Sequence, residues 1–283
     1  MTNQTKLIGV LLAAGKGLRA YPTTKFLPKP LFKVDGETLL LKNINNLKDK
    51  FQVKEIFIVV GHLGQQIIDY VESLKLDINI TFVNQDKING IANAIYLLKD
   101  KLKDKKFVTI LADEYYHDAN YEEFTDKISL NYSAITTFIK EKNPNIISKN
   151  FIGKFYKEKV LDLEEKPKNP HTDLMGVGTY FFTDKIFEYI EKTTASKLRN
   201  EKEITDVIAN MAKNTEVGFQ ILDTKYFNIS NRSDLITANY IARSLNFNKK
   251  KKTLIIPAYN EEKSIKYVIE DFKDYKIFDE IIV

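Results

Sequence analysis

Short aliphatic runs, each closed by glycine or a polar residue, alternate along the chain with segments whose apolar positions recur every three or four residues. Residues 7–13 (LIGVLLA), 55–60 (EIFIVV), 78–83 (INITFV) and 107–111 (FVTIL) are short and almost continuously apolar, as strands buried on both faces are. Between them, residues 38–47 place Leu40, Ile44 and Leu47 on one helical face, and residues 65–74 form a second amphipathic pattern. Gly90 opens a third helix, whose apolar side carries Ile91, Ala94, Ile95 and Leu98. Further on, residues 132–140, 175–182 and 219–222 read as strands, 155–162 as a hairpin around Lys157-Glu158-Lys159, and 186–190 and 203–211 as helices. Strands and helices in this alternation predict an α/β fold, Rossmann-like, with a mostly parallel central sheet and helices on both faces. Ligands of such sheets lie at the carboxyl ends of the strands.

The first of those carboxyl ends carries the densest chemistry in the chain. After residues 7–13 come Ala14, Gly15, Lys16 and Gly17, then Arg19, Lys25 and Lys29, with prolines at 22, 28 and 30. Two glycines remove side chains where a backbone has to approach a phosphate closely, and the cations surround that backbone. The three prolines preset φ, which predicts a shaped, largely extended arm. The spacing is neither that of the P-loop, since no Gly-Lys-Ser/Thr closes it, nor that of the dinucleotide fingerprint, since the third glycine is missing. A second candidate closes the strand 107–111, where Asp113 stands in Ala112-Asp113-Glu114. A carboxylate at the mouth of a buried strand is costly to desolvate unless a cation or donors meet it, so Asp113 is the leading magnesium ligand and Glu114 its neighbour.

Composition narrows the classes. Two hundred and eighty-three residues, 43% of them hydrophobic, suffice for a full core. No apolar run approaches the roughly 20 residues needed to cross a bilayer, and nothing at the N-terminus reads as a signal peptide, so the expected location is cytoplasmic. The chain has no cysteine and three scattered histidines, which leaves oxygen ligands for any metal. The formal charge of +5 comes from lysines interleaved with acidic residues along the whole chain, a solvated surface and not a nucleic-acid footprint.

The word that unites these features is G-x-G-x-R followed by Pro22, Thr24 and Pro28-Lys29-Pro30-Leu31, with Arg19 and Lys29 ten residues apart. It resembles the signature of the sugar-nucleotidyltransferases, and Ala13-Ala14-Gly15 is the variant of uridylyltransferases and small cytidylyltransferases. A second word, Leu163-Glu164-Glu165-Lys166-Pro167, resembles that family's L-E-E-K-P, followed by the small-residue strand Met175-Gly176-Val177-Gly178. The resemblance implies a reaction in which a phosphorylated acceptor attacks a nucleoside triphosphate. It assigns Arg19, Lys29, Asp113 and Lys166 to catalysis, Ala13, Ala14, Gly15, Gly17, Gln85 and Gly90 to the nucleotide, and Glu165, Lys166 and Gly178 to the acceptor. Magnesium is the implied cofactor, on Asp113 and, in the register that aligns Ser233-Asp234-Leu235, on Asn228, with Asp223 and Ser230 the alternatives in other registers. Leu18 departs from the family, which has Thr or Ser there.

The remaining expectations concern organisation and substrate. Residues 1–245 read as the nucleotidyltransferase domain and 246–252, with Lys249 to Lys252 in succession, as a linker. Residues 253–283 open TLIIPAYNEEKSI and resemble the start of a family 2 glycosyltransferase domain, truncated before its acidic metal-binding turn. Fusion to such a domain resembles the cytidylyltransferases that activate polyol or sugar phosphates for surface polysaccharides, so CTP is the first expectation and UTP or dTTP with a sugar 1-phosphate the second. A catalytically weak nucleotide-binding module is the third. The oligomeric state is open, a homodimer included.

Overall fold

The computed structural model describes residues 6–196 and 201–283. It divides into two compact units, residues 1–238 and 239–283. The first is built on a nine-stranded sheet in the order Asn79–Asn84, Glu55–Val60, Ile8–Ala13, Lys106–Leu111, Leu174–Thr183, Ala134–Lys140, Val217–Ile221, Lys159–Glu165, Phe151–Tyr156. The first four predicted strands pair in parallel with one another; the outermost, Asn79–Asn84, is only half-buried, as an edge strand is. Ala134–Lys140 and Val217–Ile221 add a further parallel pair. Leu174–Thr183 runs antiparallel to both neighbours, and Phe151–Tyr156 with Lys159–Glu165 forms the expected hairpin.

Strand alternation divides the core into two layers. Ile8, Val10 and Leu12 face a cluster that takes in the helices Ile91–Tyr96, Ile186–Lys192 and Ile204–Ala212. Leu11 and Ala13 face the opposite cluster, with the helices Leu39–Asn45, Gly64–Ser73 and Glu122–Ile128. Helices therefore cover both faces, and the apolar runs are continuous because both faces of the sheet are dry. Thr38 caps the first helix, its hydroxyl accepting from the Leu41 N–H at 3.2 Å.

Packing on the sheet is tight where small residues allow aromatic ones to approach. A Cβ added to Gly176 would lie 2.1 Å from the Phe151 ring. Gly176→Ala is therefore expected to destabilise the fold by about 1–3 kcal/mol through overpacking, read as a lower midpoint in urea unfolding with an unchanged slope.

Two sequence expectations are corrected. The segment after the first strand is no extended arm. It is three consecutive 3-10 turns, Leu18–Ala20, Thr23–Lys25 and Lys29–Leu31, because the φ that proline imposes suits a tight turn as well as an extended chain. The Lys-rich linker begins inside a helix, Arg232–Lys249, since lysine and asparagine runs do not by themselves stop one. The second unit contains the predicted strand-helix-strand: Thr253–Ile255 and Glu280–Ile282 pair in parallel around the helix Ile265–Asp274. No helix of the described residues is long and apolar enough to cross a membrane.

Candidate active site

The strand Ile8–Ala13 lies between Glu55–Val60, to which the chain crosses first, and Lys106–Leu111, to which it returns later. The connections after Ala13 and Leu111 therefore diverge to opposite sides, the crevice where open α/β sheets bind ligands. A cleft of roughly 340 Å³ opens there. Ala13, Ala14, Gly15, Gly17, Arg19, Lys29, Gln85, Gly90, Asp113, Glu165, Lys166, Gly178 and Asn228, the residues nominated from the sequence, all line it. Lys16 and Lys25, the other cations of the glycine-bearing segment, are exposed and do not.

Each turn of that segment is pinned. Gly17 has φ 61, and a Cβ there would come within 2.9 Å of Thr24 and 3.1 Å of the Lys29 stem. Both the left-handed backbone and the packing require glycine. The Thr24 hydroxyl donates to the Gly17 carbonyl at 3.0 Å, and His62 Nε2 lies 2.7 Å from the Thr24 carbonyl, which places the ring proton on that nitrogen. The Lys29 stem is thereby buried, and its Nζ reaches the Asp113 carboxylate, 3.1 Å from Oδ2. Gly15 differs from Gly17. Nothing lies within 4 Å of where its Cβ would be, so the protein's own packing does not demand a glycine.

Within the cleft, Gln85 is buried, its amide donating to Asn89 Oδ1 at 3.3 Å and to the Gly90 carbonyl at 3.4 Å. Gly90 has φ 99 as it opens the helix Ile91–Tyr96. Elsewhere in the cleft, Lys166 holds a left-handed φ of 50 and donates its backbone N–H to the Asn150 carbonyl at 2.7 Å. A non-glycine residue in that conformation, before a proline, marks local backbone strain of the kind that gathers at functional sites. The Thr205 hydroxyl donates to Glu165 Oε2 at 3.3 Å, and Lys166 Nζ stands 3.8 Å from Glu165 Oε1.

At Gly178, which lines the cleft, a Cβ would meet Leu111 at 2.5 Å and Glu114 Oε2 at 2.6 Å, so internal packing by itself requires a glycine there. Glu114 is buried behind Asp113, receiving the Gly178 N–H at 2.8 Å, the Tyr226 hydroxyl at 2.7 Å and the Tyr116 hydroxyl. Burial pushes its carboxyl up to about 7, against the pull of its donors and with a further rise from Asp113. Glu114 borders the cleft, but it is buried and its carboxylate oxygens are taken by three donors of the protein, so it is a neighbour of the candidate metal position and not a ligand. That position offers Asp113 and Asn228, whose chain segments are joined by the Ile229 N–H donating to the Asp113 carbonyl at 3.2 Å. No cluster of three or more His, Cys, Asp or Glu suited to a metal occurs among the described residues. Two hard oxygen donors suit magnesium, which keeps several of its waters.

The sequence reading missed Lys149, Asn150, Glu201 and Glu203, which also line the cleft, Glu201 against Gly90. Glu201 and Glu203 precede the helix Ile204–Ala212 and read only as its charged entry; Lys149 and Asn150 sit in a loop with no pattern of its own.

Comparison with known proteins agrees with this arrangement. The nucleotidyl transferase family profile matches residues 8–245. A bifunctional protein GlmU of Methanocaldococcus jannaschii is 32% identical over 244 residues, 86% of this chain and 56% of the relative, so the chain spans about half that relative's length. The UTP–glucose-1-phosphate uridylyltransferase AglF of Haloferax volcanii is 28% identical over 201 residues, 70% of this chain and 81% of the relative. A UDP-glucose pyrophosphorylase solved with UDP-glucose superposes with a TM-score of 0.76 at 21% identity, covering 84% of this chain and 99% of that one, a likeness of fold. From its first strand through most of the long helix that ends at Lys249, the chain belongs to the nucleotidyl transferase family.

Proposed function

We propose that the chain joins a pyrimidine nucleoside triphosphate to a phosphorylated sugar and releases pyrophosphate. The observation that carries this reading is the convergence, in one cleft, of Arg19, Lys29 and Asp113 with Glu165 and Lys166. A triphosphate held by the first group is open to an acceptor held by the second. In-line attack of the acceptor's phosphate oxygen on the α-phosphorus needs positioning and charge neutralisation more than covalent help.

In this reading Arg19 and Lys29 hold the triphosphate, and the backbone from Ala13 to Gly17 approaches it. Gln85 and Gly90 border the base. Glu165 accepts hydroxyls of the acceptor, and Lys166 orients its phosphate. A phosphate monoester is already largely dianionic at neutral pH, so no side chain has to take a proton from the nucleophile. Asp113, with Asn228 beside it, would hold magnesium, which when bound neutralises charge on the phosphate oxygens. The open space in front of Gly15 is what a closely approaching phosphate requires. Gly15→Ala is therefore expected to leave stability within about 0.5 kcal/mol of the parent while weakening triphosphate binding, checked by thermal melting alongside nucleotide titration.

For the base, the uridylyltransferase among the relatives supports UTP ahead of CTP, the order opposite to the one the glycosyltransferase-like tail suggests. Pyrophosphate release, measured with UTP, CTP and dTTP against a panel of sugar and polyol phosphates, tests the reading. Turnover with UTP and a sugar 1-phosphate is expected; nucleotide binding with silence across the panel would make the domain a binding module. Residues 253–283 fit the opening of a family 2 glycosyltransferase domain, a reading supported by Pro257-Ala258-Tyr259-Asn260-Glu261-Glu262 after the strand Thr253–Ile255.

A further inference from the structure

The buried carboxylate of Glu114 belongs to none of the roles above, yet it joins three parts of the cleft. It follows Asp113 directly at the end of the sheet and opens the short strand Glu114–His117. That strand pairs antiparallel with Lys225–Asn228, so that Glu114 stands opposite Asn228, and Tyr116 opposite Tyr226. Both tyrosine hydroxyls return to the Glu114 carboxylate. Its Oε2 also takes the backbone N–H of Gly178, at the point where the register of Leu174–Thr183 against Ala134–Lys140 shifts between Val177 and Tyr180. The Glu114 carbonyl in turn accepts from the buried Asn43 amide at 2.9 Å. The residue is 3% exposed, and the missing side chain of Gly178 makes the room the carboxylate occupies.

We infer that Glu114 is a positioning residue for nucleotidyl transfer, its carboxylate fixing the Asp113 turn and the Asn228 strand against the strand that carries Gly178. The inference rests on the transfer reaction proposed above and adds a residue to it. In that reading Asp113 and Asn228 face the triphosphate, while Gly176, Val177, Gly178 and Tyr180 border the cleft from the strand Leu174–Thr183. The spacing between donor and acceptor is thus set by whatever ties these segments together. Hydrogen bonds to a buried carboxylate are stronger than neutral ones; an amide of the same shape can keep its oxygen toward Gly178 and Tyr116, but only as a neutral acceptor, and it turns its nitrogen to the Tyr226 hydroxyl, which then has to accept instead of donate. A misplacement of about 1 Å in such a site is enough to slow the reaction severely.

The test compares Glu114→Gln and Tyr226→Phe with the parent in two measurements. The first, on protein without nucleotide, is hydrogen exchange of the peptide containing Gly178, together with the melting temperature. The second is steady-state pyrophosphate release. Glu114→Gln is expected to speed exchange at Gly178 and to lower kcat by at least about tenfold, the cost usual for a lost supporting partner behind a site. The KM for the triphosphate should change less than kcat, because the Glu114 carboxylate, though it borders the cleft, is taken up by donors of the protein and is not offered to the nucleotide. Tyr226→Phe should move both readouts in the same direction by less, and it decides the matter if Glu114→Gln does not fold. Unchanged exchange, or unchanged kcat in a folded variant, would overturn the inference. A parent with no turnover on any triphosphate would overturn the transfer reaction, and with it the positioning role, while the exchange data would still report whether the tie itself exists.

Discussion

Asp113→Ala is expected to lower turnover by at least roughly 100-fold, the effect of losing one preorganised charge-stabilising group worth ~3 kcal/mol. Its strand, Lys106–Leu111, is central in the sheet, and its side chain is 34% exposed toward the cleft while Glu114 is buried. The alanine variant also leaves the Lys29 ammonium buried without its partner. Because Asp113 is partly solvated, that loss is expected to cost about 1 kcal/mol of stability, well below the figure for a fully buried pair. Asp113→Asn separates the two effects. It keeps the size of the side chain and an oxygen for Lys29, and removes the charge. It should melt near the parent and still lose turnover to a similar degree. Pyrophosphate release and melting measured on the same preparations check this; normal turnover in folded Asp113→Asn would remove the residue from the reaction.

What the sequence made legible follows from how strongly each feature is constrained locally. Glu55–Val60 was readable to the residue because a strand dry on both faces must be apolar throughout, and Gly61 ends it. Ala14 to Gly17, Gln85 and Asp113 were readable because they lie directly after strands of the sheet, and Glu165, Lys166, Gly178 and Asn228, which lie in or beside other strands, only through the family's words. Other features depend on partners far along the chain. Glu114–His117 is a strand only because Lys225–Asn228 lies beside it, and neither segment alternates in hydrophobicity. Gly178 is bare for the sake of Leu111 and Glu114, a reason that cannot be seen from its own neighbours. Proline spacing in the glycine-bearing segment fixed φ and left ψ open, so three tight turns and an extended arm were equally consistent with it. The same folding of the segment explains which cations reach the cleft. Arg19 and Lys29 are turned toward it, whereas Lys25 stacks over Phe26 at 5.5 Å.

Lys29→Ala is expected to match the loss at Asp113, again at least roughly 100-fold in turnover, because the ammonium is the buried cation of the cleft that stands on the carboxylate itself. Its stem passes beneath Gly17 with little room to spare, and the Thr24 hydroxyl holds that turn shut from the other side. Lys29→Met tests charge alone, since it preserves most of the stem; it should fold as the parent does and lose turnover nearly as alanine does. Lys29→Arg should not rescue, because a longer, planar fork lacks the clearance to replace a point charge in that channel. In the proposed reaction Lys29 and Asp113 serve the same phosphates, so their effects should not add. The double variant Lys29→Met with Asp113→Asn is expected to lose about as much kcat/KM as the worse single one, the behaviour of residues that work as a unit. A double-mutant cycle on kcat/KM measures this directly. Fully additive losses would mean that the two residues serve separate steps, and that their 3.1 Å contact is a resting-state pairing with no part in the transfer.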